Sequence, residues 1–214
     1  MNMWIDFLLV LLILTSFGLL GTSRLSTCIR IAALQGIATG LLPLAESLSH
    51  FTWRVAAIGL GTVVLKGIVF PFLLSRALRE SNTSREAEPL IGNISSLILG
   101  VLALAASFWL DAQFDLPAAA GSGLVEPVAF SVMMTGLLLI IGRKTAVNQV
   151  LGYLVLENGI YTLGFTLVPE IPALVELGVL MDVFVAVFVM GIAIYRINRE
   201  FDHIDSDQLN SLKG

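Results

Sequence analysis

The sequence has few of the residues that build metal centres, disulfides or charged surfaces. It contains one cysteine, Cys28, and two histidines, so it can form no internal disulfide and no Cys/His cluster for zinc or an iron–sulfur cluster. Charged residues make up only 13% of the chain, the net charge is −4 and no basic stripe is present, which argues against a nucleic-acid partner. Hydrophobic residues are abundant instead, at 57%, and this composition is typical of a membrane protein with several spans.

Seven apolar runs are long enough to cross a bilayer, for which a helix needs about 20 residues. They cover approximately residues 3–22, 26–48, 53–78, 90–110, 124–142, 146–168 and 171–196. The first run lacks the positive residues that open a cleaved signal peptide, since Asp6 stands where they would be, and it is predicted to be a retained span. The prediction is an all-α, polytopic membrane protein of about seven transmembrane helices with no extramembrane domain.

Positive residues alternate with the spans in the way that the positive-inside rule describes. The connections after the first, third, fifth and seventh spans carry most of them: Arg24, Arg76, Arg79, Arg85, Arg143, Lys144, Arg196 and Arg199. This pattern places the N-terminus outside and the C-terminus in the cytoplasm. Tryptophans near the predicted outer ends fit an interfacial aromatic belt: Trp4, Trp53 and Trp109.

Three ionisable residues lie near the middle of predicted spans. Lys66 lies in the third span, Glu157 in the middle of the sixth and Asp182 near the middle of the seventh. A charged side chain at the bilayer midplane costs about 2.5 kcal/mol or more, so such residues usually handle ions or protons. The three are predicted to form a proton relay, with Lys66 as partner of the two acids. The alternative is a fixed hydrogen bond or salt bridge that locks helices together.

Other polar residues are candidates for supporting roles. Tyr153 and Tyr161 lie one turn from Glu157 on roughly the same face, and Asn158 follows it directly. Glu176 lies six residues before the acid of the seventh span, about 9 Å nearer the outside at 1.5 Å per residue. It is either a group at the outer mouth of the pathway or an interfacial acid.

The third span contains a proline shortly after its lysine. Pro71 cannot donate to the carbonyl of Gly67, so the helix is predicted to kink beside Lys66. A kink there would open a site for water or for a counter-carboxylate. Uncharged polar residues of the spans, such as Gln35, are expected to make interhelical hydrogen bonds.

At these residues the last three spans resemble the small three-helix subunit of respiratory complex I and of cation/proton antiporter complexes. The matching stretch is Arg143-Lys144 at a turn, followed by Gly152-Tyr-Leu-Val-Leu-Glu157-Asn158. Asp182 takes the place of that subunit's second acid, a glutamate. Over nearly its whole length the chain resembles the hydrogenase-4 component E family. The most specific segments of that resemblance are residues 149–159, the Thr62…Lys66…Pro71 helix and residues 209–214.

The resemblance implies a subunit that is not an enzyme by itself and holds no cofactor. It would belong to the membrane arm of a complex I-like nickel–iron hydrogenase or formate hydrogenlyase, in the cytoplasmic (inner) membrane. Its partners would be antiporter-like and quinone-site-like membrane subunits and a cytoplasmic arm that holds the metals. Residues 1–120 would form an added four-helix region, 121–198 the three-helix region and 199–214 a cytoplasmic tail.

Two other functions stay open from the sequence. The chain could be a purely structural subunit of a membrane arm, in which the buried charges only fix helix packing. It could also be a standalone secondary carrier, although no internal repeat of the kind that many carriers have is visible. Whether the translocated ion would be a proton or sodium is left undecided by the residues.

Overall fold

The chain folds into long helices that pack side by side. A computed structural model describes residues 3–46, 53–80, 91–114, 123–143, 145–167 and 178. The helices of these residues are α1 (Met3–Gly21), α2 (Leu25–Glu46), α3 (Trp53–Val64), a π-helical turn (Leu65–Val69), α4 (Phe70–Glu80), α5 (Asn93–Phe114), α6 (Val125–Gly142) and α7 (Ala146–Leu167). The predicted all-α class is confirmed. Six of the seven predicted spans match described helices to within four residues, and the span at 171–196 lies outside the described residues apart from Gly178.

Most of these helices have the length and apolar character of membrane spans. Within the described residues, five stretches meet both conditions: Met3–Gly21, Leu25–Ala45, Gly59–Arg76, Asn93–Gln113 and Val125–Gly142. The helix α7 is also long enough, with 22 residues, and it carries the polar residues Asn148, Gln149, Glu157 and Asn158. The chain is therefore a multi-pass membrane protein.

The helices run alternately up and down, and one end of the bundle carries the arginines. We call this the arginine end. The end of α1 meets the start of α5 there, because Ser23 Oγ donates to Asn93 Oδ1 at 3.0 Å. The end of α6 lies there too, because the side chain of Arg143 donates to the carbonyl of Thr22 at 2.9 Å. Three further arginines are exposed at this end: Arg24, Arg76 and Arg79.

Large aromatic side chains mark the opposite end of the bundle. Trp4 opens α1, Trp53 opens α3 and Trp109 lies near the end of α5. They are 62%, 73% and 63% exposed, respectively. Indole rings favour the headgroup level of a bilayer, where one edge is apolar and the other is wet. The separation of arginines from tryptophans is that of a protein crossing one membrane, as the sequence predicts.

The helices α6 and α7 form a hairpin whose backbones touch. A Cβ atom added to Gly152 would lie 2.8 Å from the amide nitrogen of Ile140 and 2.9 Å from the carbonyl oxygen of Gly136. One added to Gly159 would lie 2.7 Å from the amide nitrogen of Met133. Small residues allow this approach, and close packing is a main source of helix association in membranes. The hairpin therefore holds α7, with Glu157, at a fixed height against α6.

We expect Gly152→Ala to destabilise the hairpin, because the added methyl group meets backbone atoms that cannot rotate away. Overpacking of this kind costs about 1–3 kcal/mol. The measurement is the temperature at which the detergent-solubilised protein loses its monodisperse peak in size-exclusion chromatography. Gly61→Ala is the control, because an added Cβ there meets no atom within 4 Å. Equal melting temperatures for the two variants would contradict the packing described above.

Candidate functional site: a buried ion pair

A lysine and a glutamate meet inside the helix bundle. Lys66 Nζ lies 2.8 Å from Glu157 Oε1, and the two residues are only 5% and 6% exposed. Glu157 is the twelfth of the 22 residues of α7, and Lys66 lies near the middle of the span Gly59–Arg76. The contact is thus a charged hydrogen bond near the centre of the membrane, where neither charge is tolerated alone.

The backbone around Lys66 departs from a regular α-helix. Residues Leu65–Val69 form a π-helical turn, and the N–H of Phe70 bonds to the carbonyl of Leu65. The predicted irregularity beside Pro71 therefore takes the form of a widened turn, because a proline one residue later supplies no N–H to the α-helical ladder. Single π-turns inside α-helices are frequent at functional sites.

A glycine on α2 makes room for this turn. A Cβ atom on Gly36 would lie 2.5 Å from the Cβ of Lys66 and 3.4 Å from its carbonyl oxygen. The backbone that carries Lys66 therefore lies directly against α2, and the lysine side chain passes it to reach α7. Any larger residue at position 36 would push the ammonium group away from Glu157.

Uncharged polar side chains extend the ion pair across the bundle. Lys66 Nζ also donates to Asn158 Oδ1 at 3.0 Å. The amide of Asn158 reaches Gln35 Oε1 at 3.5 Å, and Gln35 Nε2 donates to Ser16 Oγ at 3.0 Å. The hydroxyl of Ser16 donates in turn to the carbonyl of Leu12 at 2.8 Å. This chain of groups connects α7, the π-turn, α2 and α1.

One oxygen of the glutamate is left over. Among the described residues, the buried Glu157 Oε2 has no hydrogen-bond partner, although a carboxylate can accept several bonds. The centroid of the Tyr161 ring lies 5.7 Å from Lys66 Nζ, within the range of a cation–π interaction. Within the described part of the chain, the carboxylate thus combines one strong bond to a cation with one oxygen that accepts no bond.

A second buried cation lies at the arginine end. Arg143 is 3% exposed and its Nη2 donates to the carbonyls of Leu19 and Thr22, at 3.4 and 2.9 Å. The last carbonyls of a helix have no partners within it, and a cation there is stabilised by the helix dipole. Arg143 therefore connects the start of the α6–α7 loop to the end of α1, a contact that no sequence pattern predicts.

The predicted site residues fall into two groups. Lys66, Glu157, Asn158 and Tyr161 lie together, whereas Tyr153 is half-buried one turn nearer the arginine end. The predicted positions Asp182 and Glu176 lie outside the described residues. A salt bridge between Lys66 and an acid was one of the alternatives, and the acid is Glu157.

Two polar residues gained importance from the structure. Gln35 was expected to bond between helices, and it does so in the centre of the bundle. Glu126 is only 3% exposed in the first turn of α6, and its Oε1 has no hydrogen-bond partner among the described residues. Its burial results from helix packing, which the sequence does not indicate. Within the described ranges, His, Cys, Asp and Glu form no group of three that could hold a metal ion.

The comparisons with known proteins agree with this architecture. The family described as NADH-ubiquinone/plastoquinone oxidoreductase chain 4L matches residues 124–214, a range that begins just before α6 and includes Glu157. An uncharacterized protein of Mycobacterium tuberculosis, Rv0085, is 34% identical over 211 residues, which are 98% of this chain and 96% of that protein. Hydrogenase-4 component E of Escherichia coli K12 is 28% identical over 151 residues, 71% of this chain and 70% of that protein. The protein of the same name from Shigella flexneri matches equally well.

The chain belongs to the same family as Rv0085, and its expected resemblance to hydrogenase-4 component E and to chain 4L is confirmed. It is a complex I-like membrane-arm subunit, and its homology to a hydrogenase-4 component implies a place in a multisubunit complex. No solved structure matches the chain. The helices α1 to α4 and the π-turn, which supply Lys66, Gln35 and Ser16, precede the part that matches chain 4L. This chain thus combines a part similar to chain 4L with added helices, and the ion pair joins the two parts.

We expect the ion pair to show strong coupling in a double-mutant cycle. Removing one partner of a buried pair costs about 3–5 kcal/mol, because the other charge is left without compensation. Lys66→Met or Glu157→Gln should therefore lower the melting temperature of the solubilised protein. The double variant leaves no unpaired charge and should recover most of the loss. Additive losses in the double variant would show that the two residues do not interact.

Arg143→Met should destabilise the arginine end. The substitution removes charged hydrogen bonds to two carbonyls of α1, each worth about 1.5–3 kcal/mol. Arg24→Met provides the matched control, because Arg24 is exposed at the same end and exposed charges contribute little. Thermal unfolding of the two variants in the same detergent checks this expectation, and an equal effect of both substitutions would contradict it.

Proposed function

We propose that the chain is a non-catalytic subunit of the membrane arm of a nickel–iron hydrogenase or formate hydrogenlyase-type complex, and that Lys66 and Glu157 carry protons through it. The observation that carries this proposal is the ion pair itself, at 2.8 Å and almost fully buried between two membrane helices. A pair held only for stability could be replaced by apolar residues at little or no cost. Charges retained at membrane depth usually serve transport.

Proton exchange within the pair needs no movement of the backbone. The ammonium group of Lys66 passes a proton along the existing hydrogen bond to Glu157, which leaves a neutral amine and a neutral carboxylic acid. Rotation of the carboxyl group about its Cγ–Cδ bond then exchanges the positions of Oε1 and Oε2 and turns the proton away from Lys66.

We further propose where this step fits in the complex. Glu157 would pass its proton toward Asp182 of the predicted seventh span, with Glu176 at the outer mouth. The arginine end would face the cytoplasm, as the positive-inside rule predicts, in the inner membrane of the cell. The partners would be antiporter-like and quinone-site-like subunits and a cytoplasmic arm with the metals. The support is that two relatives are named as components of hydrogenase-4.

A purely structural role for the pair is the second candidate. Its support is that Lys66 has two well-placed acceptors, Glu157 and Asn158, which would also fix the packing of the π-turn on α7. The two functions differ in what the charge-neutral double variant does, because that variant keeps the fold while it removes both titratable groups.

The decisive experiment uses Lys66→Met/Glu157→Gln in the native complex. Inverted membrane vesicles are assayed for proton uptake with a pH-sensitive dye, and the signal is divided by hydrogenase turnover in the same vesicles. We expect the complex to assemble, as judged by co-purification of its other subunits, and the protons moved per turnover to fall at least about tenfold, because both relay groups are gone.

The control is Glu126→Gln, which neutralises another buried carboxylate outside the pair's network. It should retain normal coupling if the relay runs through Lys66 and Glu157. Normal coupling in the double variant would establish the structural role instead. Purification of the chain without hydrogenase subunits, together with ion uptake by the chain alone, would favour a standalone carrier.

A further inference from the structure

A small cavity beside the ion pair is lined in part by Lys66. It lies between α2, α4 and α7 and has a volume of about 10 Å³. That space is close to what one water molecule needs. The walls are Ala32 and Ala33 from α2, Leu74 from α4 and Leu154 from α7, and the polar groups are Lys66 and Asn158.

The cavity extends from the ion pair toward the arginine end. Gly36 packs at the height of Lys66, and the α2 residues of the wall precede it, which is the direction of Arg24. Leu74 follows Lys66 by eight residues toward the end of α4, about 12 Å at 1.5 Å per residue. Leu154 precedes Glu157 toward the start of α7. The lining residues of all three helices therefore place the cavity between the ion pair and the arginine end.

The lining suits water better than a metal ion. An ammonium group has three donors, and within the described residues two of them hold Glu157 and Asn158. A water in the cavity can accept the third. Within the described residues no carboxylate lines the cavity, and a sodium ion beside these residues would meet the positive charge of Lys66 with too few oxygen ligands to replace its hydration shell.

We infer that this cavity is the access route by which protons, and not sodium ions, reach Lys66 from the arginine end. The inference rests on the proposed function and specifies its ion and its side. After Lys66 has given its proton to Glu157, a hydronium ion in the cavity protonates the neutral amine, which restores the ammonium group and leaves water. Ala32 and Ala33 keep the route open because their side chains are small.

The test is thiol accessibility in the full chain, in native membranes. Cys28 is replaced by alanine, and single cysteines are placed on opposite walls as Ala33→Cys and Leu74→Cys. Silver ions, which thiolate sulfur binds far more tightly than oxygen ligands bind sodium, are added to one face of sealed vesicles, and remaining thiols are counted after denaturation. Ala38→Cys is the matched control, because Ala38 lies on the same helix beyond Gly36 and is 1% exposed. Arg79→Cys, exposed at the arginine end, reports which face was treated.

We expect both wall cysteines to react at least about tenfold faster than Ala38→Cys, and only from the face on which Arg79→Cys reacts. Reaction as slow as that of Ala38→Cys, or faster from the opposite face, overturns the route. If one wall variant fails to co-purify with its complex, the other wall decides. This result does not depend on turnover, so it separates failure of the route from failure of the proton relay.

The ion is tested with the wild-type complex. Sodium is replaced by potassium at constant ionic strength in the vesicle assay, and proton uptake per turnover is measured again. Unchanged uptake supports proton access to Lys66. Loss of at least about tenfold on removal of sodium overturns the assignment of the ion, whatever the thiol reactions show.

Discussion

A charged side chain in the core of a bilayer needs a partner within the protein, because the lipid chains supply none. Lys66 and Glu157 meet this requirement for each other at 2.8 Å, and much of the surrounding packing serves to let them meet. Gly36 lets the lysine backbone lie on α2, and the glycines of α7 hold the glutamate at a fixed height against α6. The polar side chains of α1 and α2 then satisfy groups that the pair alone would leave unbonded.

The sequence was sufficient for the parts of this structure that depend on one helix at a time. Apolar runs predicted the described spans because a membrane-crossing helix satisfies its own backbone and needs only length and lipid-compatible side chains. Lys66 and Glu157 were identifiable for the opposite reason, since each violates that rule inside a span. Pro71 predicted an irregularity beside Lys66 because the loss of an N–H is a local property of the chain.

The parts that depend on two helices could not be predicted. The sequence left open which of the two acids Lys66 contacts, because the order in which helices pack is set by many weak contacts between small residues. In the sequence, Gln35 looks like any other polar residue of a span. Only the packing of α2 against α1 places its amide within hydrogen-bond distance of Ser16. Arg143 belongs to a charged turn in the sequence, yet in the fold it is buried on the end of α1.

The π-turn at Leu65–Val69 also determines in which directions the side chains of the third span point. A π-turn holds one residue more than the α-helix would at that place, so the residues on either side are rotated by about 100° relative to an unbroken helix of 3.6 residues per turn. The two halves of the span therefore present different faces to α2 and α7. Deletion of one residue within this turn would therefore rotate the side chains of α4 away from the neighbours that they contact now.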